Sequence, residues 1–264
     1  MAGARAHRRR RVVGVDRGMG SVCGGGGGDV TGAWRTYHGG DRPHWFSAKK
    51  GRLVRSSEGW ENAGACAQQR DRVSQLAKAH WRDAADTASR IPLPWYRAQA
   101  YAWIAQKGPD EQVDAMLAKA SAEAARDTDP YRRWVVLAWV VEAAVERGRM
   151  PLAKRLLADA LEPCKRVTPM KSRAYGLQIL LSRAVQVGER EAQSYSTALL
   201  DAAATLSADP VKKWRKWGSS FVNRTAYYLS RANPALAKRI LEERLGAEKA
   251  AALLTRHGPK PAEA

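Results

Sequence analysis

The sequence predicts an all-α fold, a right-handed alpha-solenoid of about four helical hairpins that follows a basic tail. A helix-start signal recurs at intervals of about 40 residues, at Leu93-Pro94, Asp129-Pro130, Thr168-Pro169 and Asp209-Pro210. Proline suits the first turn of a helix because its missing N–H would be unpaired there anyway. The segment LAKRLLADAL from Leu152 also returns as LAKRILEERL from Leu236, which is two such periods further along the chain. A period of this length with two helical segments per copy is typical of stacked helical repeats.

A third observation is the apolar run from Trp134 to Val141, which lies inside a predicted helix over residues 130–148. Its eight consecutive apolar residues leave no polar face, so neighbouring helices must cover this helix on all sides. The two tryptophans at equivalent repeat positions, Trp103 and Trp139, are interpreted as core residues. The sequence therefore predicts that Trp139→Ala costs about 3–5 kcal/mol of stability.

Residues 1–70 are predicted to form a disordered tail. They carry 13 Lys or Arg against 5 Asp or Glu, include the five-glycine run Gly24 to Gly28, and show no sustained period. A second interpretation is that part of this stretch precedes the true translation start. The helical-repeat domain is expected to span residues 71–264.

The helices of that domain are predicted in order from the apolar periodicity. Residues 71–90 should form the second helix of an incomplete leading repeat, and the left-handed glycines that end first helices are expected at Gly148 and Gly188. The fourth copy is expected to turn at Asn233-Pro234 instead. The remaining predicted helices cover residues 94–107, 111–126, 130–148, 151–165, 169–188, 189–206, 210–232, 234–245 and, as an end cap, 247–257.

The first-helix stretches PWYRAQAYAWIA, DPYRRWVVLAWVV and TPMKSRAYGLQIL, with DPVKKWRKWGSSF more distant, carry a resemblance to a known class. They resemble tetratricopeptide-like repeats with a period of about 40 residues, whose first helix reads D-P-x-x-R-A. The resemblance covers residues 71–245. It implies an alpha-solenoid that binds other macromolecules or peptides, and it implies no chemistry.

Residue patterns for catalysis, metals and cofactors are weak, so we expect a protein that is not an enzyme and holds no metal or cofactor. His38, Asp41 and His44 have metal-ligand chemistry but no helix or strand pattern to hold them. No G-x-S-x-G motif occurs, and Cys164 has no histidine near it in sequence. Glu142 is the best candidate for acid–base work, although a salt bridge to an arginine of an adjacent helix is the favoured interpretation.

Composition narrows the class of partner. The formal net charge is +19, with +8 in residues 1–70 and +11 in the rest. No stretch reaches the roughly 20 apolar residues needed to span a bilayer, so no membrane partner is expected. Three widely spaced cysteines argue against a disulfide framework and favour the cytoplasm.

Cations recur near the start of each first helix, and they form the predicted binding site. Counted from the helix-start proline, Arg97, Arg133 and Lys213 stand at plus three and Arg173 at plus four. One interpretation is that each pairs with an acid of the preceding helix and only sets repeat register. The alternative is a binding edge, to which the neighbouring cations Arg132 and Lys171 also belong. Its densest part is the cluster Lys212, Lys213, Trp214, Arg215, Lys216 and Trp217, for which the second interpretation is a solvated helix start.

From this charge pattern we expect an interaction module for an acidic protein or peptide, which would bind to the basic surface of the solenoid. The alternative is a nucleic-acid-binding helical repeat, supported by the basic charge.

Overall fold

A computed structural model of the chain describes residues 62–258, which are helical except for short turns and contain no strand. The prediction of an all-α fold is confirmed for these residues. They belong to one compact unit, Ser57–Ala264. The helices are α1 Ala63–Leu76, α2 Trp81–Ser89, α3 Pro94–Lys107, α4 Val113–Arg126, α5 Pro130–Glu146, α6 Met150–Lys165, α7 Met170–Val187, α8 Glu189–Ala208, α9 Lys212–Ala232, α10 Pro234–Leu245 and α11 Ala247–His257.

Helix starts follow the predicted chemistry in part, because Pro169 and Pro210 lie before the first residues of α7 and α9. Pro94, Pro130 and Pro234 each occupy the first helical turn. The side chain of Asp129 accepts a hydrogen bond from the Arg132 N–H at 3.0 Å, which caps α5. Asn233 caps α10 in the same way, so the predicted turn at Asn233-Pro234 is confirmed.

The two predicted glycine turns have different outcomes. Gly148 has φ +68° and ends α5 in the left-handed conformation, as predicted. Gly188 has φ 171°, which is extended backbone, so a left-handed conformation there was wrong. Gly188 alone joins α7 to α8, and Gly246 joins α10 to α11 in the same way with a positive φ, so a single glycine between two helices permits either conformation. A left-handed glycine that the sequence reasoning missed is Gly246, with φ +84°, between α10 and α11.

The helices pack in two rows. The odd-numbered helices, which we call the first row, contact one another in succession from α1 to α11. The even-numbered helices form the second row, in which α6, α8 and α10 are in contact, and each second-row helix packs against the first-row helix before it. Consecutive helices therefore pair as hairpins, and every first-row helix meets its counterpart in the next hairpin.

The start of the domain differs from the prediction. A single helix over residues 71–90 was wrong, because a turn at Ala77 to His80 separates α1 from α2. No proline or glycine marks this turn, and the buried Ala77 preserves the apolar periodicity across it. Helix α1 also begins at Ala63, before the predicted domain start at residue 71, and it packs against α2 as a hairpin. The disorder predicted for the tail concerns residues that, up to 61, lie outside the described part of the chain.

Helix α5 lies at the centre of the core. Trp134, Val136, Val140 and Val141 are at most 5% exposed. Trp139 breaks the pattern, because it is only partly buried, and Trp103 is partly exposed as well. The interpretation of these two tryptophans as core residues was therefore wrong, since both occupy the tenth position of a first-row helix, where they pack on each other. We now expect a smaller loss of stability from Trp139→Ala than full burial would give.

Gly218 provides a test of the contact between α8 and α9. A β-carbon there would lie 2.6 Å from the Ala203 carbonyl oxygen and 2.8 Å from the Ser207 backbone nitrogen, so the helix backbones would have to separate. We expect Gly218→Ala to lower the free energy of unfolding by about 1–3 kcal/mol, measured by urea denaturation. The matched control is Gly64→Ala in α1, where a β-carbon meets no atom within 4 Å and no loss is expected. Equal midpoints for the two variants would contradict the close packing of α8 on α9.

Candidate interaction surface

Three arginines of the predicted row occupy one structural position. Arg97, Arg133 and Arg173 are each the fourth residue of their helix, because α7 begins one residue after Pro169 whereas α3 and α5 begin at their proline. Each side chain donates to a backbone carbonyl six residues earlier. The bonds are Arg97 Nη1 to Ile91 O at 2.7 Å, Arg133 Nη2 to Asp127 O at 2.8 Å and Arg173 Nε to Val167 O at 3.0 Å.

These bonds hold the turn that leads into each first-row helix. All three arginines are partly buried, so their guanidinium groups interact mainly with other parts of the fold. The expected partner was a carboxylate of the preceding helix. Of the three, and within residues 62–258, only Arg97 meets a carboxylate, that of Glu123 at 2.7 Å, and Glu123 belongs to the following helix α4. The predicted pairing with an acid of the preceding helix was therefore wrong at these positions, because the arginines bind carbonyls of the entry turn instead. Ligand binding by them stays a prediction.

The start of α9 does not follow this register. Helix α9 begins at Lys212, so its fourth residue is Arg215, and Lys213 is not equivalent to the three arginines. Lys212, Lys213, Arg215 and Lys216 are all exposed. Within residues 62–258, none of these four cations forms an ion pair with a carboxylate, and the first turn of α9 contains no acid.

The two tryptophans of this segment pack against α7. Trp217 meets Tyr175 edge-on, with ring centroids 5.3 Å apart. The ammonium of Lys171 lies 4.3 Å from the Trp217 ring centroid and 5.9 Å from that of Trp214, while Lys213 lies 6.0 Å from the Trp214 centroid. Burial, together with the nearby charge of Lys213, holds the pKa of Lys171 below its usual range. Cations and aromatic rings from two helices thus form one surface.

We call this surface the α9 cluster, and it joins Lys171 of the predicted cationic row to Tyr175, which the sequence reasoning omitted. Their contribution depends on a contact between separate helices, which spacing in the sequence does not show. The full set comprises Lys171, Tyr175, Lys212, Lys213, Trp214, Arg215, Lys216 and Trp217.

Charge differs sharply between the two rows. The first-row helices α1, α3, α5, α7, α9 and α11 carry 17 Lys or Arg against 4 Asp or Glu. The second-row helices carry 10 against 11. The excess positive charge of the helices therefore lies on one row, and α9 alone has six cations and no acid.

Aromatic rings also join successive first-row helices. Trp103 of α3 lies against Trp139 of α5, with centroids 5.4 Å apart, and Tyr131 of α5 lies against Tyr175 of α7 at 6.3 Å. Tyr175 then contacts Trp217 of α9. The first row thus combines aromatic contacts with cations along its length.

The groups considered for catalysis have structural surroundings. Glu142 forms an ion pair with Arg183 of α7 at 2.9 Å, and Arg183 is 3% exposed, so the predicted salt bridge to an adjacent helix is confirmed. Burial raises the pKa of the Cys164 thiol to about 12, which keeps it protonated at neutral pH. The imagined site of His38, Asp41 and His44 lies outside the described residues.

Metal and membrane features are absent from the described range, residues 62–258. It contains no group of three or more His, Cys, Asp or Glu placed to hold a metal ion. None of the helices in this range is long and apolar enough to cross a membrane.

Comparisons with family models, curated proteins and solved structures found no match to this chain.

The arginine position can be tested against its exposed counterpart. Arg133→Ala removes the donors to the Asp127 carbonyl, and we expect it to lower the free energy of unfolding by about 1–2 kcal/mol. The control Arg215→Ala changes the same helical position in α9, where the side chain is exposed, and should leave stability unchanged within error. Urea denaturation of both variants measures the difference. Equal stability of Arg133→Ala and the native protein would contradict a role for Arg133 in holding the turn that leads into α5.

Proposed function

We propose that this protein is a non-catalytic interaction module, a tetratricopeptide-like alpha-solenoid whose first row binds an acidic protein or peptide segment. The architecture is supported by the succession of first-row contacts and by the recurrence of the helix-start prolines along the sequence. The repeated arginine-to-carbonyl bond adds a third independent sign of repetition. We count five hairpins in the described residues, α1–α2 to α9–α10, with α11 packed on the last one.

The observation that carries the function is that no carboxylate in residues 62–258 pairs with the four exposed cations of the α9 cluster. Four exposed cations in one helical start repel one another and oppose the helix dipole. Some cations elsewhere on the same row do have carboxylate partners, as Arg132 has in Asp127 at 3.1 Å. A bound anionic segment would supply the missing partners, and complementary charge would also speed its association.

The aromatic rings of the cluster favour an acidic protein segment over single-stranded nucleic acid. Base stacking needs a free ring face. Trp217 has Lys171 on its ring and contacts Tyr175 and Phe221, so little of it is open to a base. Lysine ammonium groups act as flexible point charges, which suits carboxylates on a mobile peptide. Nucleic-acid binding remains the second candidate because the chain carries a net charge of +19.

Charge reversal tests the proposal. We expect Lys212→Glu with Lys216→Glu to weaken binding of a synthetic 12-residue polyglutamate peptide at least tenfold, because both cations are exposed and the first turn of α9 contains no acid to pair with them. The matched control is Lys154→Glu with Arg155→Glu on α6, which changes the net charge equally on the second row and should have a much smaller effect. Calorimetry at two salt concentrations measures binding, and thermal melting checks folding.

Two results would contradict the proposal. Equal losses in both double variants would mean that total charge, and not the α9 cluster, attracts the peptide. Failure of polyglutamate to bind, together with tight binding of a 20-nucleotide RNA whose affinity falls log-linearly with salt, would favour the nucleic-acid alternative.

A further inference from the structure

The tryptophan pair, Trp103 and Trp139, is a feature that charge recognition does not explain. Each is the tenth residue of its helix, α3 or α5, and their ring centroids are 5.4 Å apart with an interplanar angle of 34°. Both side chains remain partly exposed although they pack together. Neighbouring apolar rings that stay in contact with water are a common mark of binding surfaces.

The surroundings of the tryptophan pair define the ligand chemistry it suits. The guanidinium of Arg70 and the ammonium of Lys107 lie 5.4 Å and 5.5 Å from the Trp103 ring centroid. Gln106 and Glu146 form a hydrogen bond across the same helix junction. Both cations already have partners within the fold, Arg70 in Asp71 and Lys107 in Ser74, so the tryptophan pair offers a ligand mainly an apolar surface.

The tryptophan pair and the α9 cluster lie on the same row, at a distance that can be estimated. The axes of packed helices lie about 8–10 Å apart. The midpoint between α7 and α9 is one and a half such spacings from α5, which is about 14 Å. Trp139 is the tenth residue of α5, whereas Lys171 and Lys213 are the second residues of α7 and α9. The eight-residue difference in helix position corresponds to about 12 Å along the helix axes, at about 1.5 Å per residue. Because this offset is perpendicular to the roughly 14 Å between helices, the two combine to a straight-line distance of about 18 Å. An extended chain covers that distance in about five or six residues.

We propose that the acidic ligand is bipartite, with carboxylates on the α9 cluster and one large apolar side chain on the tryptophan pair, about five or six residues away. This inference rests on the proposed function and adds a second subsite to it. The apolar side chain supplies desolvated contact area, and the acids supply orientation and register.

A double-mutant cycle tests the second subsite. One peptide has six glutamates, a five-residue Gly/Ser spacer and a phenylalanine, and its matched partner has serine in place of the phenylalanine. We expect the phenylalanine to raise affinity at least fivefold for the native protein, measured by calorimetry, and this gain to disappear in Trp139→Ser. The control Trp81→Ser changes a partly exposed tryptophan on second-row helix α2 and should keep the full gain.

A spacer series in the unmutated protein gives a result that does not depend on the folding of any variant. Spacers of one, five and twelve residues should give the largest phenylalanine effect at five. A gain that is absent, that is equal at all three lengths, or that persists in a folded Trp139→Ser variant overturns the bipartite ligand. In those cases salt-sensitive binding of the serine peptide would still support the proposed function, whereas failure of both peptides to bind would overturn both.

Discussion

The absence of a polar face on α5 is the constraint on which the described domain depends. From Trp134 to Val141 only Trp139 is more than 8% exposed, so helices must surround α5. Helices α3 and α7 cover it within the first row, while α4 and α6 cover it from the second row. Because the covering helices have apolar stripes of their own, they in turn need neighbours, and the two rows extend outward until α1 and α11.

Much of the fold could be predicted because its signals are local. A proline preceded by a capping residue gives the start of a helix without knowledge of its neighbours, as at Asp129-Pro130. The errors occur where local signals conflict or are absent. The turn at Ala77 to His80 has no proline or glycine, and a single glycine between two helices is extended at Gly188 but has a positive φ at Gly246. The exposure of Trp139 depends on what lies beside it in the row, which repeat position alone does not give.

The candidate surface was less predictable than the fold, because a positive side chain in the sequence does not show which group it binds in the structure. Arg133 and Lys213 stand at the same distance from a proline, yet Arg133 donates to a carbonyl and Lys213 lies exposed beside tryptophan. The difference arises because α9 begins two residues after Pro210, with the Val211 N–H bound to the Asp209 carboxylate instead. The contact of Lys171 with Trp217 joins residues of different helices, so it required three-dimensional packing to find.

The arginine-to-carbonyl bond affects how easily a chain of this kind can gain additional helical hairpins. Donor and acceptor lie six residues apart in one continuous segment, and the acceptor is backbone, so any residue type at position 91, 127 or 167 preserves it. A duplicated hairpin would carry both partners with it, whereas a lock between side chains of different hairpins would require matched changes in two copies. Gene duplication could therefore lengthen the array one hairpin at a time, with each new copy already holding its own entry turn.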